Sequence, residues 1–161
     1  MINDAPALKR FVYNDGGRSA AGFNGTTGDC ACRAIAIATG KSYREIHDGL
    51  NALGALFGDL DNNLRAVDGL RRRRRISADT GIPGCISRLY LEQLGWRWIL
   101  SGERLHRCDL PSGRLVVQLT QHLVALIDNV VHDHGDYWRG RRIVYGYFTQ
   151  QTQHTGDNNH V

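Results

Sequence analysis

Hydrophobic and polar positions divide the chain into a helical first half and a stranded second half. In "CACRAIAIAT", residues 30–39, Ala, Ile and Cys cover nearly every face, which predicts a buried helix that Gly40 can end. Ser42 and Glu45 have capping-box spacing, so a second helix is predicted over residues 42–53. Through residues 54–81 the periodicity fades into "GDLDNN" and an arginine run, and a mobile loop or lid is expected. Ile86, Leu89, Tyr90 and Leu94 recur at helical spacing and predict a third helix over residues 85–94, after Pro83 and Gly84. The pattern then changes period. Residues 96–100, "RLVVQL" (114–119), "HLVALI" (122–127), "VVHDH" (130–134) and "RIVYGYF" (142–148) read as strands. Helices followed by a meander of strands give an α+β class, with N-terminal helices packed on a C-terminal antiparallel β-sheet. The first 27 residues read as loop, with turns at "NDGGR" and "AGFNG". Residues 1–150 are expected to form one domain, with 151–161 as a polar, flexible tail.

Length and composition agree with that division. A chain of 161 residues that is 42% hydrophobic and 22% charged can bury a core without staples. The first nine residues lack an apolar run, and residues 123–131 are interrupted by Asp128 and Asn129. A cytoplasmic protein with no membrane partner is expected, and free thiols rather than disulfides at Cys30, Cys32, Cys85 and Cys108. The net charge of +4 comes mainly from arginine and is concentrated at Arg71, Arg72, Arg73, Arg74 and Arg75. That run is read as a solvated loop segment or as a contact for an acidic protein or nucleic acid. No stacking aromatics interleave it, which disfavours single-stranded nucleic acid.

The chemistry starts at "NGTTGDC". A polar, glycine-bearing loop delivers Cys30 to the first turn of an apolar helix, where free N–H groups and the dipole favour a thiolate. Gly28 is expected to leave room for a substrate, and Asp29 to cap the helix while raising the thiol pKa. A charged histidine would have to outweigh that rise. The alternative is that Cys30 is only a small apolar residue at a helix start. Cys32 lies about 200° further round the helix and cannot share the same cleft.

"QHLVALIDNVVHDHGD" supplies the partner. If Asp128-Asn129 is a two-residue turn, Ala125 pairs with His132 and Val124 with Asp133. His122, Val124 and Asp133 then share a face, and His132 and His134 point to the other. That register favours a Cys30–His122–Asp133 triad in which His122 takes the thiol proton and Asp133 orients the imidazole. A metal site from Cys30, Cys32 and the "HDH" histidines is disfavoured, because C-x-C is a poor zinc spacing and the histidine faces diverge. No metal and no cofactor are expected.

"NGTTGDC" resembles the papain-type element Q-G-S-C-G-S-C, with Asn24 six residues before Cys30. The order of cysteine helix, histidine strand and acid strand is also similar to that superfamily. The hairpin resembles compact bacterial members such as bacteriocin-processing peptidases. "YNDGGR", "GDC…RAIAIATG", "LPSGRL" and "HLVALIDNVVHD" resemble uncharacterised phage and prophage proteins. The resemblance implies a minimal papain-like core and a cysteine peptidase or isopeptidase acting on a protein or peptide. It also implies that Asn24 supplies the oxyanion-hole side chain, beside the Cys30 N–H. The same constellation serves amidases and acyltransferases. A second expectation is a non-catalytic phage-type binding protein on this fold, docking a host partner through the arginine run.

Overall fold

The computed structural model describes residues 10–25, 27–69, 71, 76–104, 109–135 and 142–150. Three helices pack on a six-stranded mixed sheet, an α+β arrangement. The elements are β1 (Arg10–Tyr13), α1 (Cys30–Thr39), α2 (Tyr43–Val67), α3 (Gly84–Gln93), β2 (Trp96–Arg104), β3 (Arg114–Leu119), β4 (His122–Ile127), β5 (Val130–Asp133) and β6 (Ile143–Gln150). The strand order is β1-β5-β4-β3-β6-β2. The expected tail, residues 151–161, and residues 72–75 of the arginine run lie outside the described residues, as does Cys108. No described helix is long and apolar enough to cross a membrane.

The β4–β5 hairpin forms in the predicted register, with Ala125 opposite His132, Leu126 opposite Val131 and Ile127 opposite Val130. Asp128 and Asn129 take φ values of 47° and 62°, the left-handed conformation that a two-residue turn requires and that these side chains tolerate. Two parts of the sheet differ from a plain antiparallel meander. "RFVY" forms β1 and pairs parallel to β5, and β6 inserts between β3 and β2. β1 has four residues, three of them exposed, too little alternation to announce a strand.

α1 lies across the middle of the sheet. Its Ala34, Ile35 and Ala38 join Val116, Leu123, Ala125 and Phe148 in one core. The opposite sheet face is equally dry, with Leu115, Val117, Val124, Leu126, Val131 and Val144 all 1% exposed or less. Gly40, at φ 72°, ends α1 as expected.

α2 starts at its Ser42 cap, where the Glu45 N–H donates to Ser42 Oγ at 3.2 Å. It does not stop near residue 53. It continues to Val67, which overturns the expected mobile loop over much of residues 54–81. Leu53, Phe57, Leu60, Leu64 and Val67 keep a helical spacing through the glycines. Phe57, Leu60, Leu64 and Val67 are exposed, so this half of the helix contributes little core.

Candidate active site

The head of α1 meets the open end of the β4–β5 hairpin. Pairing between β4 and β5 ends at Ala125–His132, so beyond it the strands part, and there the Leu123 N–H donates to the Cys30 sulfur. The Ala31 N–H donates to the same sulfur from the first turn of α1. Asp29 makes no side-chain cap bond, which leaves the first-turn donors of α1 for the sulfur and for whatever approaches it.

His122 completes the contact. By strand alternation it belongs with Val124 and Leu126, on the sheet face opposite α1. As the first residue of β4, next to Gln121 at φ 55°, it sits at the sheet rim rather than within the face, and its ring hydrogen-bonds Cys30 there. His122 Nε2 lies 2.6 Å from Asp133 Oδ2, and the Asp133 side chain is 4% exposed. An ionised carboxylate only accepts, so Nε2 carries the proton and Nδ1 is left as the basic nitrogen for the thiol.

The electrostatics follow from that chain of contacts. Burial alone would push the Cys30 thiol up, but the hydrogen bond from His122, the Leu123 N–H and the His122 charge outweigh it and hold the thiol below its ordinary value. Burial alone would push His122 down, but Asp133 and Cys30 raise it to about 9. Asp133 is lowered in spite of burial, chiefly by His122. All three shifts favour thiolate, imidazolium and carboxylate together. Cys32 shows the contrast: burial pushes it up to about 12, and its thiol donates to the Tyr43 carbonyl at 3.6 Å.

Asp29 does not have the expected effect on Cys30. Its carboxylate is consumed by Arg18 Nε at 3.0 Å, Arg33 Nη2 at 2.6 Å and the Tyr43 hydroxyl. Arg18 also donates to the carbonyls of Phe23 and Asn24, at 3.1 and 3.0 Å, which ties the preceding loop to the helix start. Gly28 lines the cleft and has a packing role that its sequence context does not announce. A Cβ there would meet the Thr80 carbonyl carbon at 3.3 Å, so glycine lets residues 80–81 pack against the cysteine loop, and the Gly28 N–H donates to the Asp79 carbonyl at 2.8 Å. Part of the expected lid is thereby a fixed cleft wall.

The cleft has a volume of about 490 Å³ and is lined by Cys30, His122, Gly28, Thr80, Gln118, Gln121, Arg33 and His134 among others. Asn24 is exposed and outside this lining, with only its carbonyl engaged, so the structure does not bring it to Cys30. Arg71 is exposed, and its carbonyl accepts from Arg65 Nη1 at 3.2 Å. His134 is the residue that the sequence misplaces. It follows β5, escapes strand alternation, and its Nδ1 lies 3.0 Å from Asp133 Oδ1. Among the described residues, no three His, Cys, Asp or Glu side chains gather as metal ligands. No family model, curated protein or solved structure matches the chain.

Proposed function

We infer that the protein is a thiol-dependent acyl hydrolase with a papain-like arrangement, acting as a peptidase or isopeptidase. The observation that carries this reading is the continuous chain Cys30–His122–Asp133 at a helix N-terminus opening on a cleft. A buried structural cysteine has no use for three donors aimed at its sulfur. His122 Nδ1 holds the thiol proton, and the Cys30 sulfur attacks the acyl carbon of the substrate, forming a C–S bond. The carbonyl electrons move to oxygen, and in this reading the Cys30 N–H at the head of α1 stabilises that charge. The imidazolium returns its proton to the leaving amine as the C–N bond breaks. Water, deprotonated by His122, then cleaves the thioester and restores the thiol.

An activated ester tests this directly. With p-nitrophenyl acetate, Cys30 should gain one acetyl group as p-nitrophenol is released. Intact-mass spectrometry should show the adduct in the wild type and its loss in Cys30→Ser and His122→Ala. Acetylation spread equally over all cysteines would remove the basis for the assignment.

A further inference from the structure

Four charged side chains beside the cleft are buried: Arg18, Arg33, Asp29 and Asp133. Asp29 is 1% exposed and faces two largely buried guanidiniums, Arg18 at 3.0 Å and Arg33 at 2.6 Å. Asp133 is engaged by His122 and His134, so the two guanidiniums share the Asp29 carboxylate, and a guanidinium that shares its carboxylate keeps attraction for a second anion. Asp15, whose oxygens accept from the Gly17 and Ser19 N–H groups at 2.9 and 3.0 Å, also interacts with the Arg33 charge without an ion-pair contact. Of the two arginines, Arg33 lines the cleft. It is 7% exposed; Nη2 is held by Asp29, and Nε, itself buried, has no hydrogen-bond partner. It follows Cys30 by three positions on α1, which puts the two side chains on neighbouring helical faces. Among the described residues lining the cleft there is no Asp or Glu. The ionisable side chains there are Cys30, Arg33, His122 and His134.

We propose that the cleft selects a substrate bearing a carboxylate beside the acyl group that Cys30 attacks, and that Arg33 recognises that charge. The substrate class is a peptide presenting either an acidic side chain or its C-terminal carboxylate at this point. This deepens the acyl-transfer reading and rests on it for the position of the reacting carbon.

Two alkylating probes of nearly equal size, iodoacetate and iodoacetamide, isolate the charge. The quantity measured is the ratio of their labelling rates at Cys30, which cancels changes in the reactivity of the thiol itself. That ratio should be about tenfold higher in the folded protein than at the same thiol in the urea-unfolded chain, the effect of one charge-assisted contact. Arg33→Gln should remove most of the gain. An unchanged ratio in Arg33→Gln would overturn the proposal and leave His122 as the source of attraction. If that variant does not fold, the wild type decides through competition at matched ionic strength. N-acetylglutamate α-amide and N-acetylglutamine should slow iodoacetamide labelling, and neutral N-acetylglutamine amide should not. The stronger protector of the first two identifies side chain or C-terminus; equal protection by all three rejects the anion site. If iodoacetamide labels Cys30 no faster than Cys85 while the ratio still depends on Arg33, the acyl-transfer reading fails and the anion site stands.

Discussion

Asp133→Asn is the perturbation in which the geometry makes its sharpest claim. The rise of His122 from 6.5 to about 9 is worth about 3 kcal/mol in favour of the imidazolium, supplied against burial by Asp133 and Cys30. Asparagine removes the Asp133 charge and also changes the tautomer. The His134 N–H donates to Asp133 Oδ1 at 2.7 Å, so the amide oxygen is drawn to that site. The amide N–H then faces His122 Nε2, which must accept, and the ring proton moves to Nδ1. The nitrogen facing Cys30 becomes a donor and can no longer take the thiol proton. Losing even half of the interaction lowers the thiolate–imidazolium population by about tenfold, and losing most of it by about a hundredfold. The assay is the pH profile of iodoacetamide labelling at Cys30, read by peptide mass spectrometry. The variant should show a neutral-pH rate lower by that factor and a midpoint moved to higher pH, with an unchanged circular dichroism spectrum. His132→Asn should leave the profile in place, since His132 contacts Asn14 and not Cys30. A wild-type profile in Asp133→Asn would refute the chain of contacts.

Three further outcomes concern stability. Unfolded histidine titrates near 6.5 and folded His122 near 9, so its contribution is complete below 6.5 and is lost as pH rises through 9. Asp133 has the opposite sign, contributing above 3.8 and losing that contribution as pH falls through its lower folded value, so melting temperature should drop at both ends and His122→Gln should flatten the alkaline limb. Asp29→Asn leaves two buried arginines without their carboxylate and should cost about 3 to 5 kcal/mol in urea titration. Gly58→Ala, in open space on α2, should stabilise by about 1 kcal/mol, and Gly146→Ala should destabilise by about 1 to 3 kcal/mol because its Cβ would strike the Ile99 carbonyl oxygen.

The hairpin was legible because two local signals agreed. Apolar alternation set the faces of β4 and β5, and Asp128-Asn129 demanded one turn and therefore one register. Strands β3 and β4 and helix α1 were legible for the same reason, each being bounded by turn residues. The end of α2 was not, since its apolar stripe is exposed and diluted by Gly54, Gly58 and Asp-Asn-Asn. Cys30, His122 and Asp133 could be named from spacing because each sits at or next to an element end, where position fixes direction. Their approach around the sheet rim could not be read from alternation, which places His122 on the face away from α1. His134 lies past the end of β5, so period-two reasoning did not apply to it. Asp29 and Arg33 have the i,i+4 spacing of a helical ion pair, but the contact of Asp29 with Arg18 joins the preceding loop to the helix start, and no sequence period encodes it.

The proposed chemistry depends most on the ionisation state of Cys30. Labelling rates of Cys30 and exposed Cys85, measured across pH in one sample, test it directly. The Cys30 rate should rise with a midpoint below 9.0, the ordinary thiol value, and should exceed the Cys85 rate at neutral pH. A Cys30 midpoint at or above 9.0, with labelling no faster than at Cys85, would mean that the sulfur at the head of α1 is an ordinary buried thiol.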